Sequence, residues 1–294
     1  MGEASVPVDL LNPGQVFACL GLMELAELLC GPCIGRYDYT GSETVARFVL
    51  RVDGVDDPLR VAIRFLAQAE AVALAPPGST LSATKWKVPT QSGAGRDFPC
   101  PEPDSPATLP GFLTDGKRRV PLAYWADGLA SGRDNAKFWA GSGGYPGVAL
   151  ARDALALVRA AGAEALAQAV ENPYALAAPQ SSSFRFDWRR DYIPLDAGFS
   201  PNDHSDIEMV GHPLVESLAA IGLQNARPAR PDARDKLRYV YGVSSAALPT
   251  ALARPVLGGA SMGFPLRRFR MRLGWPSKEG QARCIIDAEE ETSA

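Results

Sequence analysis

The N-terminal part of the chain carries a run of apolar residues with few polar interruptions. The run, VFACLGLMELAELL, follows Asn12 and Pro13. Asparagine is a preferred residue before a helix, and proline suits the first turn because its missing N–H would have no partner there. Apolar residues on almost every side predict a helix that is buried in the core. Gly31 and Pro32 follow the run and predict the C-terminus of this helix.

Other segments show the two-residue period that is typical of strands. Residues 46–52 and residues 267–272 alternate in this way, and residues 184–189 alternate aromatic with polar side chains. Each of these segments is therefore expected to form a strand. Residues 61–75 predict either a helix or a strand combined with a helix. A short strand is also expected at Lys85 to Val88.

Two further segments have helical patterns. One helix is predicted over residues 148–170, and another begins at His212 and Pro213. The second contains residues 220–223 (AIGL), which resemble residues 19–22 (CLGL) in the first helix. This likeness is explained either by a weak internal repeat or by the similar composition of buried helices that contain glycine. The combined pattern predicts an α+β fold, with mixed and largely antiparallel sheets, buried helices and long Gly/Pro-rich loops.

Residues 76–116 are rich in proline and poor in apolar residues. A loop of this length in a compact domain is usually functional or disordered. We expect an N-terminal α/β lobe over residues 1–147, with long basic and aromatic loops, and a C-terminal lobe of helices and strands over residues 148–294. A boundary near residue 180 and a single domain are the alternatives.

Composition is that of a soluble globular protein. The 294 residues are 46% hydrophobic and 21% charged, with a mean hydropathy of −0.07. We expect no membrane span, because no apolar run reaches about 18 residues, and no secretory signal, because the N-terminus lacks a basic region followed by an apolar one. These features predict a cytoplasmic location. Five cysteines in such a chain favour free thiols over a disulfide framework.

The net charge of −3 does not by itself indicate a nucleic-acid-binding protein, but the charges are unevenly distributed. Of the 30 basic residues, 24 are arginine, the residue that suits bidentate phosphate contacts and stacking on bases. Acidic residues concentrate at Asp287, Glu289, Glu290 and Glu291. The basic runs elsewhere are therefore not neutralised by their neighbours in the sequence.

The motif Cys30-Gly31-Pro32-Cys33 matches the dithiol of thioredoxins letter for letter. In a redox dithiol the motif opens a helix, whose N-terminus lowers the pKa of the first thiol. Here a helix precedes the motif and ends at it, so the helix dipole would raise the thiol pKa. We interpret these four residues as the end of a helix.

Both histidines of the chain lie near carboxylates. Asp203, His204 and Asp206 form one group, and His212 follows. A metal site would need these ligands to converge. A polar loop with a helix cap is the simpler interpretation, so we expect neither a metal, a cofactor nor catalytic residues.

A glycine-rich segment, residues 141–147, precedes a predicted helix. It matches neither the dinucleotide-binding nor the P-loop pattern. Free N–H groups at the helix start would still suit a single phosphate contact.

Basic residues repeatedly stand beside aromatic ones, which is typical of surfaces that hold nucleic-acid strands. For any single run the simpler interpretation is a strand with aromatic residues in the core and arginine in solvent, but five runs together favour nucleic-acid binding. The candidate contacts are Lys85, Trp86, Lys87, Lys117, Arg118, Arg119, Arg133, Lys137, Arg185, Arg189, Arg190, Arg267, Arg268, Arg270 and Arg272.

Three segments resemble a known family. VPVDLLNPGQVFACLGLMELAELL, FDWRRDYIPLDAGFSPND and HPLVESLAAIGLQNARP are similar to the large-subunit-like proteins of subtype I-U (I-G) CRISPR–Cas loci, often called Csb-three or Csx-fourteen. The likeness spans most of the chain, and its motifs are local and not catalytic.

The resemblance implies a non-catalytic subunit of a Cascade-like surveillance complex in antiviral defence. Its implied partners are the other effector subunits, the CRISPR RNA and target double-stranded DNA with its protospacer-adjacent motif, while a separate nuclease-helicase cleaves. The alternatives are a metal-dependent nuclease that uses Asp203, His204, Asp206 and His212, and a purely structural assembly subunit.

Overall fold

The computed structural model describes residues 2–40, 45–98, 102–122, 145–190, 207–235, 237–274 and 283–291. The helices are α1 (Pro13–Cys30), α2 (Pro58–Gln68), α3 (Gly147–Ala160), α4 (Gly162–Gln168), α5 (Pro213–Gly222) and α6 (Thr250–Leu257). The strands are β1 (Gly2–Asp9), β2 (Cys33–Asp38), β3 (Val45–Val52), β4 (Glu70–Ala75), β5 (Thr90–Ser92), β6 (Gly111–Thr114), β7 (Arg119–Leu122), β8 (Ala178–Pro179), β9 (Val210–Gly211), β10 (Arg238–Val243), β11 (Leu248–Pro249), β12 (Arg267–Gly274) and β13 (Cys284–Glu290).

Most strand pairs are antiparallel, so the predicted α+β fold is confirmed. The strands form sheets in the orders β1-β3-β2-β11, β5-β4-β6-β7, β10-β12-β13 and β8-β9. Only the β4–β5 pair among these is parallel. The two-residue strand β11, from the C-terminal half, joins the first sheet through β2.

Helix α1 begins and ends where the sequence predicts. It starts at Pro13, and Gly31 then takes a φ of 115° while its N–H donates to the carbonyl of Glu27 at 3.1 Å. By length and composition α1 is the one helix in the described part of the chain that is apolar enough to cross a membrane, but 72% of it is buried inside the protein. Most of α1 therefore packs inside the protein core.

The glycines of the two similar helical segments meet at the crossing of α1 and α5. A Cβ atom on Gly21 would lie 1.7 Å from the carbonyl oxygen of Leu218, and one on Gly222 would lie 2.4 Å from that of Phe17. Each glycine therefore contacts the residue four positions before the other glycine. Close backbone approach accounts for the glycine that residues 19–22 and 220–223 share.

Several predicted elements are corrected by the structure. Residues 184–189 form no strand; they are irregular and lead into a 3-10 turn at Trp188–Arg190. Lys85 to Val88 is not a strand either, because a 3-10 turn at Thr84–Trp86 ends at Lys87, whose φ is 58°. The helix predicted over residues 148–170 is broken into α3 and α4 at Gly162, which has a φ of 81°.

One hydrophobic cluster includes buried residues from both sides of residue 147. Phe17 and Phe48 from the N-terminal half belong to it together with Leu218 and Phe269. Tyr241 also donates to the carbonyl of Leu10 at 2.7 Å. The division into two lobes at residue 147 stays a prediction.

Candidate nucleic-acid interface

The predicted basic runs lie in very different surroundings. On β12 the alternation is confirmed, with Phe269 and Met271 buried and the arginines facing outward. Carboxylates of the C-terminal strand β13, and of Glu291 directly after it, balance these arginines. The ion pairs join Arg267 to Glu290 at 2.5 Å, Arg268 to Glu291 at 3.3 Å, Arg270 to Glu291 at 2.9 Å and Arg272 to Asp287 at 2.6 Å. This run therefore presents a surface of mixed charge.

Arg189 and Arg190 serve internal contacts. The guanidinium of Arg190, with 5% of the residue exposed, donates to the carbonyls of Gln180 and Ser181. Arg189 pairs at 2.5 Å with the fully buried carboxylate of Asp187. Arg185 has a φ of 63°. In this conformation Arg190 is not accessible to a nucleic acid.

A polar cluster lies where these residues meet the starts of α1 and α5, and we call it the helix-start cluster: Asn12, Asp187, Arg189, His212 and Glu216. Asn12, Asp187 and Glu216 are buried, His212 is half-buried and Arg189 is exposed. Asn12 does not cap α1 with its side chain, but donates to Asp187 at 2.9 Å. Nδ1 of His212 lies 3.7 Å from Asp187. Glu216 accepts from the backbone N–H groups of Phe186 and Asp187, each at 3.1 Å.

The groups of this cluster differ in their pKa. Burial raises the pKa of Glu216 to about 7. Burial alone would also raise the pKa of Asp187, but hydrogen bonds and the charge of Arg189 bring it below its usual value. Burial lowers the pKa of His212. The cluster contains the ion pair between Asp187 and Arg189, and it favours the neutral form of His212. We interpret this arrangement as structural.

Sequence reasoning missed Glu216. Its one available signal was a glutamate in the first turn of an otherwise apolar helix. His212, which the nuclease alternative uses as a metal ligand, is half-buried in the helix-start cluster, while Asp203, His204 and Asp206 lie outside the described residues. Within the described ranges, no three His, Cys, Asp or Glu side chains lie close enough together to hold a metal ion.

The cysteines of the CGPC motif are not activated. Cys33 lies in β2, where its thiol contacts the hydroxyl of Thr250 at 3.3 Å, and burial raises its pKa to about 11. Burial also raises the pKa of Cys30. The four cysteines that the structure describes are free thiols. A raised thiol pKa opposes nucleophilic attack. The direction agrees with the prediction, but the cause is burial, whereas the prediction rested on the helix dipole.

The turn between β6 and β7 is basic and exposed. Asp115 shapes it by accepting from the backbone N–H groups of Lys117 and Arg118 at 3.0 and 2.8 Å. Arg118 pairs with Asp115 at 2.7 Å and lies 5.7 Å from the ring of Phe65. Arg119 lies 4.5 Å from the ring centroid of Phe112. Lys117 and Arg119 form no ion pair with the residues that the structure describes.

A second exposed basic group surrounds Trp86. The ammonium of Lys85 lies 5.5 Å from the Trp86 ring, which packs edge-on against Tyr145 at 6.5 Å. The guanidinium of Arg152 donates to the Trp86 carbonyl and fixes the turn against α3. Lys85 and Lys87 are exposed. Both lysines are therefore presented from an anchored turn.

Two of the candidate contacts, Arg133 and Lys137, lie outside the described residues, as do residues 141–144 of the glycine-rich segment. No protein-family model matches this chain, and comparison with curated proteins and with solved structures finds no match. No relative therefore helps to locate the candidate nucleic-acid interface. The charge of the described residues alone selects the turns at residues 85–87 and 117–119.

Proposed function

We propose that this protein is a non-catalytic, nucleic-acid-contacting subunit of a CRISPR-RNA-guided surveillance complex that acts in the cytoplasm. The observation that carries the proposal is the turn of Lys117, Arg118 and Arg119. It is exposed, and two of its guanidinium groups are held over aromatic rings. Arg118 also pairs with Asp115, whereas Arg119 has no carboxylate partner among the described residues and keeps its N–H donors available for phosphate oxygens.

The turn at residues 85–87 supports the proposal as a second phosphate contact. In guided complexes, base pairing reads the sequence while the protein holds the backbone and a short motif. Exposed basic residues on short turns suit the backbone-holding part of that division of labour. The partners in this proposal are the other effector subunits, the CRISPR RNA, target double-stranded DNA and a separate nuclease-helicase.

The charge of the β6–β7 turn is testable with two matched triple variants. One is Lys117→Gln/Arg118→Gln/Arg119→Gln. The other is Arg268→Gln/Arg270→Gln/Arg272→Gln, which removes the same charge from arginines that are paired with carboxylates. Binding of labelled DNA to the full chain is measured over a range of salt concentrations.

We expect the first variant to weaken binding at least about ten-fold and to reduce the salt slope by about one for each lost phosphate contact. The second variant changes the net charge equally and should have a much smaller effect. Equal effects of the two variants would show that only net charge matters. That result would contradict the proposed role of the turn.

A further inference from the structure

A cleft of about 590 Å³ opens beside the β6–β7 turn, between α1, the sheet of β4 and β6, and the residues that follow α5. Volumes of this size are typical of small-ligand sites. Its apolar lining is formed by Leu28, Leu74, Phe112, Val120, Pro121 and Ile221. Leu28 is 49% exposed, so this lining opens to solvent.

Some charged side chains at the cleft have a hydrogen-bond or ion-pair partner, and others have no ion-pair partner among the described residues. Glu24 and Arg254 neutralise each other through two hydrogen bonds of 2.7 and 2.8 Å. Asp97 accepts from the backbone N–H of Ala94 at 2.7 Å. Arg96 and Arg119 also line the cleft and form no ion pair within the described residues. The cleft therefore carries unbalanced positive charge on part of its rim.

Arg119 is oriented before any ligand arrives. Its guanidinium lies 4.5 Å from the centroid of the Phe112 ring, which restricts the side chain and leaves the N–H donors at its edge. A planar fork of this kind suits the bidentate contact of a phosphate. The same residue belongs both to the basic turn and to the cleft.

We propose that the cleft binds one unstacked nucleotide of a single-stranded nucleic acid. The phosphate lies on Arg96 and Arg119, and the base lies on the apolar lining with the amide of Asn225 at its edge. This inference rests on the proposed function and extends it, because Lys117 and Arg118 would hold the neighbouring phosphates of the same strand. Apolar side chains commonly hold an extruded base in this way.

The test separates contacts to the base from contacts to the backbone. Labelled oligothymidylate and an abasic strand of the same length carry the same phosphates. Leu28→Trp fills the cleft from an exposed position, and Asn225→Trp fills it from the other wall. Ile34→Trp is the matched control, since Ile34 is 43% exposed on β2 and does not line the cleft.

We expect both cleft-filling variants to weaken oligothymidylate binding at least about five-fold and to leave abasic binding unchanged. Ile34→Trp should change neither, and Arg96→Gln should weaken both.

If the cleft-filling variants behave like Ile34→Trp, the cleft holds no base and this inference fails alone. If the wild-type chain binds neither strand, the proposed function fails with it. Loss of a protein partner from the cleft-filling variants, with nucleotide binding unchanged, would assign the cleft to a peptide and overturn the inference.

Discussion

Glu216 holds an irregular segment against the first turn of α5. One of its carboxylate oxygens, Oε1, accepts both backbone N–H groups, from Phe186 and Asp187. A protonated carboxyl group, or the side-chain amide of glutamine, also has an oxygen that can accept these two hydrogen bonds. Burial raises the pKa of Glu216 to about 7, and the nearby charge of Asp187 adds to the effect. The side chain therefore fastens residues 186 and 187 without needing a charge.

The pKa of Glu216 predicts a pH-dependent stability. The folded protein keeps the proton up to about pH 7, whereas the unfolded chain loses it near the ordinary value of 4.5. Between these values the folded state binds more protons, so the free energy of unfolding falls as pH rises, by an amount on the order of 3 kcal/mol. Glu216→Gln should lack this decline.

Urea unfolding of both proteins at about pH 5 and about pH 8 measures the difference. His212 contributes an opposite dependence, because its lowered pKa makes stability fall as pH falls, but it does so in both proteins. The same pH response in wild type and Glu216→Gln would contradict the assignment.

At the scale of elements, the crossing of α1 and α5 organises the core. Gly21 and Gly222 let the two backbones approach more closely than any side chain permits. Gly21→Ala should lower the free energy of unfolding by at least about 2 kcal/mol, because overpacking forces the helices apart. Gly95→Ala is the control: a Cβ there meets no atom within 4 Å, and its effect should stay within about 0.5 kcal/mol. Equal unfolding midpoints for the two variants would contradict this packing.

Prediction from the sequence succeeded best for elements whose own residues specify where they begin and end or which face is buried. Helix α1 has its first-turn proline and its terminal glycine, and β12 has its two-residue period. Residues 184–189 have the same period, yet Phe184 and Phe186 stack on each other with ring centroids 5.1 Å apart. Asp187 turns inward to Asn12, a partner 175 residues away. Local periodicity contains no information about such a partner.

At the scale of the whole molecule, the pairing of β12 with β13 decides which arginines remain available. The register sets Arg272 opposite Asp287 and Arg270 opposite Glu289. Sequence analysis identified both the basic run and the acidic C-terminal cluster, but it did not predict that one neutralises the other. It did identify the turn at residues 117–119, because the charge of this turn comes from three consecutive residues. The cleft beside that turn was not predictable, because its walls come from six segments that are distant in the sequence.

The proposed function requires that this protein works inside an RNA-guided complex. The most direct measurement is purification of the tagged full chain after co-expression with a CRISPR RNA and the other effector subunits, followed by analysis of bound RNA and protein. We predict that the RNA and subunits co-purify at fixed ratio, and that the assembly binds target DNA but shows no cleavage without a separate nuclease. A chain that purifies free of RNA and subunits, or that cleaves DNA alone with a divalent metal, would contradict the account.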